Sequence, residues 1–153
     1  MSEFRLAEWE ETIREVLETD GEFRMYPRGS SMLPFLRPGI DSVVLVKPHF
    51  PLKKNDLPLY RRDGGQYVLH RVMAVEPDGT YRLCGDNQVT EETGVRDDMV
   101  VGVVSRVFRK DREINRNAVS YKLYLFLWRW KFLRRLRLKA ASVLRKFSTN
   151  NKI

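Results

Sequence analysis

A chain of 153 residues, 42% of them hydrophobic and 31% charged, has the make-up of one folded domain, and apolar residues recurring from Phe23 to Phe108 argue against disorder there. The net charge of +8 is unevenly spread, because all 20 acidic residues lie before residue 118 whereas ten of the 28 Lys and Arg follow it, from Lys122 to Lys152. The body is therefore near neutral, and the cationic excess belongs to a tail of the kind that seeks anionic membranes or other polyanions.

Leu6, Trp9, Ile13, Val16 and Leu17 recur at helical spacing, which predicts an amphipathic helix over residues 3–19, closed by Asp20-Gly21. Its other face carries Glu8, Glu10, Glu11, Glu15 and Glu18, the wrong sign for gripping nucleic acid, so the helix is expected to pack on the body or on a partner. This first stretch is acidic and lacks the basic and apolar regions of a secretory signal, so export is not expected from it. From Phe23 onward short β-rich runs alternate with Gly, Pro and Asp: Phe23 to Tyr26, Ser42 to Lys47, Leu59 to Arg62, Tyr67 to Val75, Thr80 to Cys84 and Met99 to Phe108. Asp63-Gly64-Gly65 and Pro77-Asp78-Gly79 are hairpin turn signals.

These runs predict a mainly β fold, a small antiparallel and partly open barrel with its strands in meander order. After Glu113 the composition shifts again, and residues 118–147 mix aromatic residues with Lys and Arg in a helical pattern that Arg134 and Arg137 interrupt. The expected organisation is an N-terminal helix over residues 1–21, a β domain over 22–113 and a basic aromatic helical tail over 114–153. No run reaches the roughly 20 apolar residues that a spanning helix requires, the best uncharged stretch being Leu123 to Trp128.

Three segments carry candidate chemistry. Gly29-Ser30-Ser31-Met32-Leu33-Pro34 puts Ser31 on a sharply turning loop between two strands. Leu69-His70-Arg71-Val72 offers His70 as a base, on the face opposite Leu69. Cys84-Gly85-Asp86-Asn87 supplies a carboxylate, Asp86, in a turn after a strand. Each segment alone reads blandly, since loop serines, strand histidines and Gly-Asp-Asn turns are common and a hydroxyl is a poor nucleophile without a base. His49, in a proline-flanked loop, is a weaker candidate base. Cys84, the one cysteine, reads as a small buried thiol rather than as a nucleophile paired with His70, and it has no partner in the sequence for an internal disulfide. Zinc-ligand spacing, a phosphate-cradling glycine loop and a dinucleotide fingerprint are all missing, so no metal or cofactor is expected.

Taken together and in this order, the three segments resemble the signal peptidase I and LexA-like clan of serine peptidases. Gly29 to Pro34 looks like the Ser-Met-x-Pro box of that clan, in which the serine before the methionine attacks. His70-Arg71-Val72 looks like the second box, where bacterial members place a lysine and the endoplasmic-reticulum type a histidine. Gly85-Asp86-Asn87 followed by Val101-Gly102-Val103-Val104 looks like the third box and its closing strand. The resemblance spans about Phe23 to Phe108 and implies a β-rich peptidase fold, peptide or protein substrates, and transfer of the Ser31 proton to His70. It also implies a carboxylate, Asp86 or else Glu91 or Glu92, that orients the imidazolium.

The sequence departs from that pattern in four places. Gly29 stands where many signal peptidases have a serine that helps the oxyanion, so backbone N–H groups or Ser30 must serve. Ile40 interrupts a Gly-Asp pair in Pro38-Gly39-Ile40-Asp41, and Asn55-Asp56 replaces another, which positive φ at asparagine tolerates. An amino-terminal membrane anchor is not seen. Two other functions fit the same fold: a self-cleaving regulatory module of the LexA kind, and a non-catalytic protein that holds membrane or nucleic acid with the tail. The first lacks a helix-turn-helix, since the acidic helix cannot read DNA, and the apolar content of the tail favours lipid over nucleic acid. The expected location is cytoplasmic and peripheral at a membrane, with the tail lying on an anionic surface where each cation gains about 1 kcal/mol.

Overall fold

The computed structural model describes residues 3–128, with side chains from Trp9 to Trp128. Helix α1 (Glu3–Thr19) precedes strands β1 (Phe23–Met25), β2 (Asp41–Val46), β3 (Pro58–Arg61), β4 (Tyr67–Leu69), β5 (Arg71–Val75), β6 (Tyr81–Cys84), β7 (Glu92–Val95), β8 (Val100–Arg109) and β9 (Arg112–Glu113), and helix α2 (Val119–Trp128) follows them. The fold is mainly β and antiparallel, as expected, but two separate sheets replace the anticipated barrel, which does not close.

The larger sheet runs β1-β2-β8-β3-β4 with β9 added on β8, and the smaller runs β5-β6-β7. A meander is therefore not what forms. The long strand β8 inserts between β2 and β3, pairing Val43 with Val107 on one side and Leu59 with Gly102 on the other. Its ten-residue run is long enough to serve two partners at once, and pairing order is a property that hydrophobic periodicity does not carry. Both glycine turn signals do close hairpins, with Gly65 at φ 78° and Gly79 at φ 84°, a backbone region where a Cβ would be strained.

Tyr67–Val75, which reads as a single strand, is two. Leu69 ends β4 in the larger sheet and Arg71 begins β5 in the smaller, so His70 is the one residue between them. Strand β7 escapes the sequence pattern because its Glu-Thr-Gly-Val composition is polar and Gly94 takes φ 76°. The two residues of β9 are too few to show a pattern.

Two cores hold the sheets. Ile13 and Leu17 of α1, Met32 and Leu36 of the loop before β2, and Tyr121 of α2 pack on the larger sheet, so both helices share a core with the strands. Burying side chains such as Ile13 and Leu17 stabilises by about 1.5–3 kcal/mol each. The second core joins Tyr60 of β3 and Val100 of β8 to Val72, Tyr81, Leu83 and Val95 of the smaller sheet. Close approach of α1 depends on Gly102, where a Cβ would stand 3.0 Å from Leu17 Cδ1. The acidic face of α1 is not wholly solvated, because Glu10 Oε2 accepts a 2.5 Å hydrogen bond from Tyr67 Oη on β4. Trp9 meets Tyr67 and Phe23 edge to face, so α1 straps the two outer strands of the larger sheet, β1 and β4.

Candidate active site

The Ser31 loop is pinned from inside. Met32, Phe35 and Leu36 are buried, Leu36 N–H donates to the Met32 carbonyl at 2.9 Å, and Leu33 N–H donates to the Ser30 carbonyl at 3.2 Å. Met32 thus anchors the turn and leaves Ser31 partly exposed at its rim. Gly85-Asp86-Asn87 braces the same turn from outside: Asn87 N–H donates to the Ser31 carbonyl at 2.7 Å, and a Cβ on Gly85 would fall 2.7 Å from that carbonyl oxygen. Glycine at 85 is required by this close approach.

Ser31 and His70 line one pocket of about 220 Å³, together with Gly29, Leu36, Leu69 and Gln88 among others. The His70 ring is buried, and its Nδ1 lies 3.2 Å from Tyr60 Oη and 3.2 Å from Glu92 Oε1. Tyr60 Oη donates its only proton to Glu92 Oε2 at 2.8 Å. Burial and the neighbouring carboxylate push the Tyr60 hydroxyl well above its usual range, so that proton stays. Burial alone would raise the Glu92 pKa, but hydrogen bonds from Arg62 and Tyr60 outweigh it and hold the carboxyl below its ordinary value. Glu92 is ionised at neutral pH and only accepts. With both neighbours acting as acceptors toward Nδ1, the proton of the neutral ring belongs on Nδ1, and the lone pair belongs on Nε2.

Burial lowers the His70 pKa, and the Glu92 charge offsets this only in part. The imidazole is therefore neutral at pH 7, the form a general base requires. Arg62 grips Glu92 through Nε at 2.9 Å and through Nη2, which fixes the carboxylate against the ring. Neither Tyr60 nor Arg62 is marked by the sequence; each is an ordinary strand or turn residue until the fold brings it to Glu92.

Asp86, anticipated as the acid beside His70, is held elsewhere. Arg71 Nε and Nη2 clamp it at 2.8 and 2.6 Å, and Tyr124 Oη donates to Oδ2 at 2.7 Å. Arg71 and Asp86 are both buried, and Arg71 Nη1 also donates to Tyr121 Oη at 3.0 Å. The carboxylate against His70 is Glu92. Glu91 turns to Arg82 at 3.4 Å. The Arg71–Asp86 pair instead ties α2 to the two segments that flank the pocket, and the Phe35 ring packs on Tyr121 and Tyr124 at 5.2 and 5.7 Å.

His49 is exposed, and the 220 Å³ pocket is not lined by it. Cys84 is buried with Sγ toward the carbonyls of Gly85, Gln88 and Thr90 at 3.3–3.5 Å, and it is not among the residues that line the 220 Å³ pocket. Ser30 is exposed and lies outside the lining of that pocket. Among the described residues no group of His, Cys, Asp and Glu is arranged to hold a metal ion, and no helix is long and apolar enough to cross a membrane. The anticipated tail beyond Trp128 lies outside the described residues. Comparison with protein-family models, with curated proteins and with solved structures returned no match.

Proposed function

We propose that this chain is a serine endopeptidase of the signal peptidase I and LexA-like type, cleaving a peptide leader or a protein partner. Ser31 is the nucleophile, His70 Nε2 takes its proton, and Glu92 orients the ring and stabilises the imidazolium. The observation that carries this reading is the shared pocket: two segments remote in sequence put Ser31 and His70 in one cavity, with an ionised carboxylate on the far ring nitrogen. A hydroxyl needs that neighbouring base to attack, and a base needs that tautomer to accept. Asp86 has a structural part in this reading, setting the Ser31 turn through its own segment. With no side chain at Gly29, backbone N–H groups of the Ser31 turn receive the oxyanion.

Because the substrate is open, the test uses a fluorophosphonate, which phosphonylates an activated serine and releases fluoride. Intact mass and peptide mapping should show one adduct, on Ser31. Ser31→Ala should abolish it with stability within about 0.5 kcal/mol of wild type, as expected for a loop hydroxyl. His70→Ala should slow labelling by roughly 10²–10⁴-fold, the usual worth of a general base. Labelling that survives Ser31→Ala unchanged would sink the assignment.

A further inference from the structure

Helix α2 presents two unlike faces. Its inner face is bolted to the body, with Tyr121 buried, Tyr124 donating to Asp86, and Trp128 stacked on Tyr124 at 5.3 Å. Its outer face holds Val119, Leu123, Phe126 and Leu127, all between 45% and 81% exposed. These fall at i, i+4, i+7 and i+8, one continuous stripe of a helix. Four large apolar side chains in a row on one exposed helix face mark an interaction surface rather than scattered surface apolarity.

We propose that this stripe docks on an anionic lipid surface. The sequence that continues from Trp128 holds Arg129, Lys131, Arg134, Arg135 and Arg137, and no acidic residue follows Glu113. An apolar stripe with cations in sequence beside it matches the two attractions of a lipid interface, hydrocarbon burial and anionic headgroups. A second copy of the chain would bring a like-charged segment against its own kind. A nucleic acid would satisfy the cations and leave Leu123 and Phe126 in water. A peripheral helix ordinarily loses binding energy to its own folding at the surface, whereas α2 is already held as a helix by Tyr121 and Tyr124, so the stripe is ready before contact. This docking is independent of the peptidase chemistry and holds whether or not Ser31 reacts.

The experiment is flotation of the full chain with vesicles of phosphatidylcholine alone and of an equal mixture of phosphatidylcholine and phosphatidylglycerol, at low and high salt. Expected is flotation with the mixture, weakened by salt, and little with phosphatidylcholine alone. Leu123→Ser combined with Phe126→Ser should weaken binding by about tenfold or more while the melting temperature holds, because both side chains already face solvent. Val75→Ser, at an exposed site on β5, is the control and should bind like wild type. The idea is overturned if the double variant floats as well as wild type, which would leave the cations alone responsible. It is equally overturned if that variant loses stability instead, which would mean that the chain covers its own stripe. Salt-sensitive retention on single-stranded DNA that the double variant also loses, or lipid-free dimerisation that it abolishes, would assign the face to another occupant.

Discussion

His70 is a buried base whose proton affinity is set by two opposed effects, and the balance has consequences for pH. Burial disfavours the imidazolium and Glu92 favours it, with burial prevailing. The rate of Ser31 labelling should therefore rise with pH, with its midpoint below the ordinary histidine value of about 6.5. Stability follows the same sign. Once unfolded, the ring takes a proton near 6.5, whereas the folded ring resists to lower pH, so between the two values the unfolded state binds more protons and acid favours it. The contribution is full above about 6.5 and lost as pH falls through the lowered folded value. Glu92 and Asp41, with depressed carboxyl values, add a separate loss at lower pH. Urea denaturation across this range should show the first decline in wild type, and His70→Gln should lack it while keeping the second. An unchanged first decline in that variant would show that His70 is not the titrating group. At this scale Ser31 and His70 were legible, because a motif names both. The sequence offers Glu92 only as one of three carboxylates, and the reason is geometric: successive residues of an extended chain point to opposite sides, so Arg71 claims Asp86 and His70 is left to Glu92.

The elements that frame the pocket are held by a buried polar junction. Asp86 receives Arg71 on two edges and Tyr124 on one, so the two partners differ in what their loss leaves behind. Arg71→Ala strands a buried carboxylate and should cost about 3–5 kcal/mol. Tyr124→Phe removes one hydrogen bond while the arginine remains, and should cost about 0.5–1.5 kcal/mol. Chemical denaturation of the two variants checks the order, and equal losses would mean that the ion pair does not hold the junction. Sequence periodicity found α1, most strands and both glycine turns, because burial on one face and special backbone angles leave marks in composition. It ran Tyr67–Val75 together because alternation continues through a residue at which the chain changes sheets. The insertion of β8 between β2 and β3 was equally hidden, since β2 reads as Val-rich whichever strand it pairs.

Across the whole molecule the pocket belongs to no single core. Met32 and Leu36 tie the Ser31 turn to the core of the larger sheet, Glu92 rides on β7 of the smaller one, and His70 is the single residue that joins β4 to β5. Their alignment is therefore a measure of how the two sheets sit on each other, through the layer formed by Tyr60, Val72 and Val100. Sub-global opening requires less free energy than global unfolding, and a catalytic constellation of the kind proposed tolerates very little displacement. On warming, the fluorophosphonate reactivity of Ser31 should fade several degrees below the loss of β-sheet circular dichroism, and recover on cooling from that interval. Coincident curves would mean that the sheets part only when they melt. Were reactivity to fade first, the upper working temperature would be set by the seam between the two sheets and not by the melting of either one.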